Sequence, residues 1–504
     1  MAAARRNALG ARPRSQTRRG ILQSPLPPPL RNRLRGGIER LARPQDQETL
    51  RPRWTLVARV PHPAGGGRGK EAGMLTNNPQ RLEELRQLAS KCPRCSLCKF
   101  PPLAVVRGKE QSAICPAYEE FKFHANSGGG LIVLAMSLLD GRSRITEAVR
   151  RAAYGCTACG GCDVVCKFST DIEVQEVILQ LRAKIFEEAG ADPEHREILE
   201  KIRSDDHPLP GITESKGAWI EEIGMRVPRR KAPTLLWIGP HYALWRARRT
   251  TLENALALLD RAGVDFFVLG AQEPYTGRAA LEIGDRALFA ECARRSAAAI
   301  RASGAERVVC LSAEDYATLR GAIPRFAPIG TPIVHITELY AERIAAGKLR
   351  PAAGPPRRVA WHDPSLLGRL SEPYRPWKGR MRKVHGQMVV YEPNRPVNRG
   401  SGGCYDAPRA VLRALPGIEM REFLRKREYA FDSGEGGQAL HRFPEFARNT
   451  AQRRIAEARS IGVETIVTEC PQSIALLEAV GRRQTASPVS VRSLTDLLAE
   501  RIFV

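Results

Sequence analysis

The sequence predicts an α+β multidomain chain in which a helical, cysteine-rich domain is followed by two duplicated α/β lobes. Three observations carry that prediction. Eight of the 12 cysteines fall in two tight sets inside a helix-patterned stretch. From Pro233 onward the texture changes to short apolar runs alternating with amphipathic segments, the pattern of strands joined by crossover helices. The same order of strand, loop and helix returns after residue 357. At 504 residues and 43% hydrophobic content the chain is long enough for two or three domains with real cores.

Residues 1–73 hold 16 Lys and Arg against 4 Asp and Glu, so 12 of the 25 net positive charges come from this arm. It is rich in Arg, Pro and Gly and lacks helical or strand periodicity, which predicts disorder. No apolar segment follows Arg5-Arg6 or Arg18-Arg19, against a twin-arginine export signal. Met74, just before the helix start Thr76-Asn77-Asn78-Pro79, stands where a natural first residue would, so the arm is either a basic extension or upstream of the true start. The concentration of charge there argues against nucleic-acid binding by the rest. No apolar run reaches membrane-spanning length, and reduced cysteines without a secretion signal predict a cytoplasmic protein, peripheral to a membrane at most through a partner.

Residues 74–190 form the helical domain. An amphipathic helix over 74–91 leads to the first cysteine set; helices are predicted over Leu131–Leu139, Ile145–Tyr154 and, capped by Thr170-Asp171, through Val174, Val177, Ile178, Leu181 and Ile185. The first set is Cys92-x2-Cys95-x2-Cys98, closed by Cys115-Pro116; the second is Cys156-x2-Cys159-x2-Cys162-x3-Cys166. Three thiolates at two-residue gaps converge on one corner of an iron–sulfur cube, and in two-cluster ferredoxins the fourth ligand comes from the other run. The spacing therefore predicts one [4Fe–4S] cluster on Cys92, Cys95, Cys98 and Cys166, and a second on Cys156, Cys159, Cys162 and Cys115. Lys167 rather than Pro follows Cys166, and 16 residues separate Cys98 from Cys115, so Cys115 rests on the weakest spacing. Zinc sites more often use two separated pairs or are completed by His, of which the chain has only 9.

Residues 191–231 read as a connecting segment with one or two helices. The first lobe, 232–350, has strands at Thr234–Ile238, Val264–Leu269 and Arg307–Cys310, with helices at Leu252–Ala262 and Phe289–Ala302 between them. The second, 351–504, has strands at Arg358–Trp361, Ile418–Met420 and Thr465–Thr468, with helices at Ala407–Leu415 and Phe446–Ser460.

This order of parts resembles the heterodisulfide reductase D-subunit family, which includes the iron–sulfur subunits of glycolate and lactate oxidases and of anaerobic glycerol-3-phosphate dehydrogenase. The resemblance spans about residues 85–500. It rests on the two cysteine runs, His362-Asp363-Pro364 with Leu367-Gly368-Arg369, Asp406-Ala407-Pro408-Arg409 and Gly434-x-Gly436-Gly437. In that family each lobe carries a lone Cys, a Cys-Cys-Gly and a Cys-x-x-Cys, which can hold a further iron–sulfur centre. Here Pro240, Pro274-Tyr275-Thr276, Ala313 and Asp315 stand in the first lobe. Ser365, Asp432-Ser433-Gly434 and Ser473 stand in the second, where only Cys470 survives. Hydroxyls are poor iron ligands and Pro supplies none, so the lobes are expected to hold no cluster. Cys292, Cys310 and Cys404 fall outside the signature and read as buried thiols.

The resemblance implies an electron-transfer subunit working between a flavoprotein dehydrogenase or heterodisulfide-reductase-type subunit and a downstream acceptor, with the lobes as docking scaffold. Two rivals stand beside it. One is a reductase whose α/β cleft uses His362 and Asp363 as an acid–base pair, with Asp432 and Cys470. The other is a non-redox assembly protein with structural metal sites. His362 and Asp363 read first as scaffold, and Asp432 and Glu435 as turn residues beside glycine.

Overall fold

The computed structural model describes residues 81–503 apart from 103–104, 107–110, 171, 225–231, 374, 376–378, 385–387, 395–397 and 483–487. The expectations for residues 1–73, for the start at Met74 and for Asp171 as a cap lie outside the described residues.

The cysteine-rich part is helical. Leu82, Leu85 and Leu88 are buried, as their spacing predicts, but the described segment is a turn followed by a short helix, Arg86–Ala89. The next helices are Pro116–Phe121, Gly128–Leu139, Glu147–Tyr154, Gly161–Ser169 and Val174–Ala189. The last begins later than expected. Its N-cap position is Glu173, and Thr170 instead turns its hydroxyl back onto the Cys166 carbonyl at 2.9 Å. Leu131, Ile132, Ala135, Val177, Ile178, Leu181 and Ile185 form this part's core. The connecting segment contains two helices, Pro193–Asp205 and Ala218–Ile223.

Two four-stranded, all-parallel sheets follow. The first contains β1 (Thr234–Trp237), β2 (Phe266–Phe267), β3 (Arg307–Cys310) and β4 (Ile333–His335), in the order β2-β1-β3-β4. β5 (Arg357–Trp361) opens the second half, and an antiparallel hairpin of β6 (Arg380–Val384) and β7 (Met388–Glu392) follows it. β8 (Ile418–Arg421), β9 (Thr465–Thr468) and β10 (Ser490–Ser493) complete the second sheet, in the order β10-β9-β5-β8. Numbered within its own half, each sheet thus runs second, first, third, fourth. β4, β10 and the hairpin were not foreseen: β4 is only three residues long, β10 is polar, and the hairpin pairs the basic Arg380–Val384 with the apolar Met388–Glu392.

The final helices exchange partners. Ile336–Ala345, which follows β4, lies against Asp406–Arg413 of the second half. Leu494–Ile502, which follows β10, lies against Arg249–Arg261 of the first, with Asp496 accepting from Thr251 and Asn254 at 2.9 Å each. One buried cluster therefore runs through both halves, from Trp237 to Trp361 and Leu498. No helix of the described residues is long and apolar enough to cross a membrane.

Candidate iron–sulfur site

The two cysteine runs share one backbone course. In the first, the second residue after Cys92 (Arg94, φ 58°) and the first after Cys95 (Ser96, φ 65°) are left-handed. In the second, the corresponding residues after Cys156 and Cys159 are Ala158 (φ 47°) and Gly160 (φ 73°). Left-handed residues at this frequency prevent helix or strand and curl each run into a loop. The 3-10 turn Leu97–Lys99 closes the first loop, and the helix Gly161–Ser169 carries Cys162 and Cys166 away from the second.

The electrostatic contacts are compatible with a crosswise grouping. Cys98 lies within electrostatic reach of Cys92 and Cys95, and Cys166 of Cys98 and Cys92. Cys115 lies within reach of Cys156 and Cys159, as does Cys162. Cys98 also reaches Cys115 and Cys162, so it stands where the two groups meet. Burial pushes the Cys166 thiol up to about 12 and lifts those of Cys98, Cys115, Cys156 and Cys162. Thiolate character must therefore come from ligation. Among the described residues no three His, Cys, Asp or Glu side chains converge as the ligands of one ion do.

A glycine-rich helix start fits between the runs. A Cβ on Gly128 would lie 2.7 Å from the Cys162 Cβ, and one on Gly129 3.2 Å from the Cys98 Sγ. The Gly129 N–H donates to that sulfur at 3.2 Å, and Ser127 caps the helix by accepting from Gly130 at 3.3 Å. A backbone donor thus faces the Cys98 sulfur and the positive helix end lies close to Cys162, an arrangement suited to an anionic cluster. The eight cysteines with this cradle fit iron–sulfur clusters.

Solvent reaches the groups unequally. Cys95 is exposed, beside Leu97 at 50% exposure, while Cys98 and Cys159 are buried. The second run is covered from the second half of the chain. Arg369 donates from Nε to the Cys159 carbonyl. A Cβ on Gly436 would lie 2.5 Å from the Thr157 carbonyl oxygen, and one on Gly437 2.7 Å from that of Cys156. Arg182, fully buried, donates to the carbonyls of Ala153, Cys156, Glu282 and Gly437. Sequence reasoning noticed Leu367-Gly368-Arg369 and Gly434-x-Gly436-Gly437 as motifs but missed that they close over the second cysteine run.

The degenerate signature positions do meet. Ser365 donates to Asp432 at 2.7 Å, the Ser433 and Ser473 hydroxyls lie 2.9 Å apart, and Ser473 donates to Glu435 at 2.6 Å. In the first half Thr276 donates to Asp315 at 2.7 Å and Tyr275 to Glu314 at 2.9 Å. Gln472 ties the two sets by donating to Glu314 at 2.6 Å. Asp432 also accepts from the Gly434 N–H at 3.2 Å, where φ is 109°, a turn that favours glycine. Cys292, Cys310, Cys404 and Cys470 are all buried.

His362 and Asp363 are committed to structure. His362 is fully buried, with Nε2 3.1 Å from the Ser433 hydroxyl and Nδ1 accepting from Arg454 at 3.1 Å; burial, then Arg454 and Arg369, hold its pKa well below the usual range. Asp363 receives both Arg409 nitrogens at 2.7 and 2.8 Å, the Trp361 indole at 2.9 Å and the Arg427 N–H at 2.7 Å. Arg409→Leu strands this buried carboxylate and is expected to cost about 3–5 kcal/mol, read by chemical denaturation under anaerobic conditions.

Buried acids at the sheet ends set a pH dependence. Glu273 accepts from the Ile238 and Gly239 N–H groups at 2.9 and 2.7 Å, and burial still lifts it to about 8. Burial lifts Glu469 to about 7. Both folded values lie above the reference 4.5, so the folded state binds these protons more tightly than the unfolded chain. That stabilisation is complete below the reference value and is lost as pH rises through 7 to 8. The melting temperature should fall between about pH 4.5 and 8, and less steeply in Glu273→Gln.

Comparison with known proteins agrees with the site. A family described as "4Fe-4S dicluster domain" matches residues 88–170, a span that contains all eight cysteines. A "Probable membrane-anchored ferredoxin" of Chromohalobacter salexigens is 27% identical over 69% of this chain and 48% of its own length. The "Probable iron-sulfur-binding oxidoreductase FadF" of Bacillus subtilis is 23% identical over 75% of this chain and 50% of its own. This chain thus spans about half the length of those two relatives. The heterodisulfide reductase D-subunit of Methanosarcina barkeri is 23% identical over 82% of this chain and 93% of its own. The class is an iron–sulfur-binding protein similar to the heterodisulfide reductase D-subunit.

Proposed function

We propose that the chain is an electron-transfer subunit of an oxidoreductase complex. It binds two [4Fe–4S] clusters, one on Cys92, Cys95, Cys98 and Cys166, the other on Cys115, Cys156, Cys159 and Cys162. The observation that carries this reading is the pair of cysteine loops with one shared backbone course and contacts compatible with a crosswise grouping, inside a segment that matches a dicluster domain. The cubes supply one-electron carriage; the chain's own residues bury them, donate N–H groups to their sulfurs and set their potentials. Relatives named for an "EtfAB:quinone oxidoreductase" and for a fumarate reductase (CoM/CoB) support a place between a flavoprotein partner and a downstream acceptor. The two halves are duplicated α/β lobes, 232–350 and 351–504, that carry no cluster and serve as scaffold. The hydrogen-bonded hydroxyls and carboxylates at their signature positions support this. The locked state of His362 and Asp363 weighs against the reductase reading.

The test is anaerobic purification with iron and sulfide analysis and EPR of the dithionite-reduced protein. About eight irons per chain with spectra of two interacting centres is the expected result. Zinc in place of iron would move the protein to the structural class, and clearly more iron would mean that the lobes hold a centre.

A further inference from the structure

Two buried cations have no task in electron carriage by the cysteines alone. Arg182 and Arg369 are 0% and 6% exposed, and both press against the second cysteine run. The hydrogen bonds of both go to backbone carbonyls. Arg182 bonds those of Ala153, Cys156, Glu282 and Gly437, and Arg369 bonds Cys159, Glu428 at 3.0 Å and Ala430 at 2.7 Å. Neither forms an ion pair with a carboxylate among the described residues. Three other deeply buried arginines of the second half do: Arg409 pairs with Asp363 and Glu422, and Arg454 and Arg425 pair with Glu457, whereas Arg501, at 2% exposure, bonds the Pro355 carbonyl. Nη2 of Arg369 is buried and has no hydrogen-bond partner at all.

A buried cation without a counter-charge is expensive, and a buried donor without an acceptor adds to the cost. Two such cations on one cysteine loop mark a missing anion. A four-iron, four-sulfide cube on four thiolates is a buried anion whose sulfurs accept hydrogen bonds, and it becomes more negative on reduction. The Cys159 side chain, at close range, and Asp432 already act on the Arg369 guanidinium.

We propose that Arg182 and Arg369 are the counter-ions of the cluster on Cys115, Cys156, Cys159 and Cys162, with Arg369 Nη2 donating to a cluster sulfur and so favouring its reduced state. The proposal rests on the dicluster reading and goes beyond it. It makes the second lobe, through Arg369, a determinant of the potential of one cluster and not of the other. Arg369 is a positioning and tuning residue, not a ligand.

The test is an EPR-monitored redox titration of the full chain, purified anaerobically, beside Arg369→Gln and Arg369→Lys. With the positive charge gone, Arg369→Gln should lower the midpoint of one cluster and leave the other unmoved, while Arg369→Lys keeps most of the original value. If Arg369→Gln loses iron instead, the loss should stop at about half, and Arg369→Lys should retain the full content. Unchanged midpoints in Arg369→Gln at full iron content overturn the proposal. Equal damage in Gln and Lys variants also overturns it, since packing rather than charge is then at stake. Iron analysis of the unaltered chain tests the dicluster reading separately; a chain without a second cluster removes both.

Discussion

Cys115→Ser is expected to remove about half the iron from the anaerobically purified chain, and so is Cys166→Ser, because serine is a poor iron ligand and each residue completes one cube. The informative step is to combine variants. In the crosswise arrangement Cys115 and Cys156 serve the same cube, so the double variant should retain about four irons, as either single variant does. Cys115 and Cys92 serve different cubes, so that pair should leave almost none. If each run instead completed its own cube, the pattern would reverse: Cys115 with Cys92 would spare four irons and Cys115 with Cys156 would spare none. Cys115 lies within electrostatic reach of Cys156 and Cys159, from which the first outcome is expected, and also of Cys98, so the double variants decide between the two arrangements. Iron content, read with the EPR signal that survives, separates the two without any assay of turnover.

The cysteine runs were legible because ligand spacing is a local property: two-residue gaps constrain a loop whatever surrounds it. The strands β1, β3, β5 and β9 were legible for a related reason. Their residues are mostly buried and read as apolar runs. What failed was set by tertiary contact. β10 is Ser490–Ser493, a polar stretch that is a strand because it pairs with β9. The exchange of Ile336–Ala345 and Leu494–Ile502 between halves has no sequence signal, since an amphipathic helix does not say which sheet it covers. Thr170 looked like a helix cap by composition, but its hydroxyl is taken by Cys166. His362 and Asp363 looked chemical because they end a strand. Arg409 and Arg454, 46 and 92 residues away in sequence, are what make them structural. The cover of the second cysteine run by Arg369, Gly436 and Gly437 joins segments more than 200 residues apart, as the Arg369 to Cys159 separation of 210 shows. Only the motifs hinted that those residues had a task.

Gly437→Val tests that cover. Gly437 sits at φ 64°, where a β-branched residue is strained, and its added Cβ would lie 2.7 Å from the Cys156 carbonyl oxygen and 2.9 Å from the Ala158 nitrogen. These neighbours are backbone atoms of the cysteine loop, so they cannot rotate aside as a side chain would. Either the lobe loop lifts, which breaks the Arg182 bond to the Gly437 carbonyl, or the cysteine run shifts and its thiolates leave their places. Strain and overpacking together are expected to cost about 2–5 kcal/mol. Gly304→Val supplies the control: its φ of 67° and ψ of 15° match those of Gly437 and nothing lies within 4 Å of its added Cβ, so it carries the backbone strain without the collision. The difference between the two variants in denaturation midpoint, and in the rate at which a chelator strips iron, measures what the lobe does for the second cluster. Faster loss of about half the iron in Gly437→Val but not in Gly304→Val is the expected result. Equal behaviour would mean that the cysteine loop holds its cluster without help from the lobe, and that the close approach at Gly437 reflects packing alone.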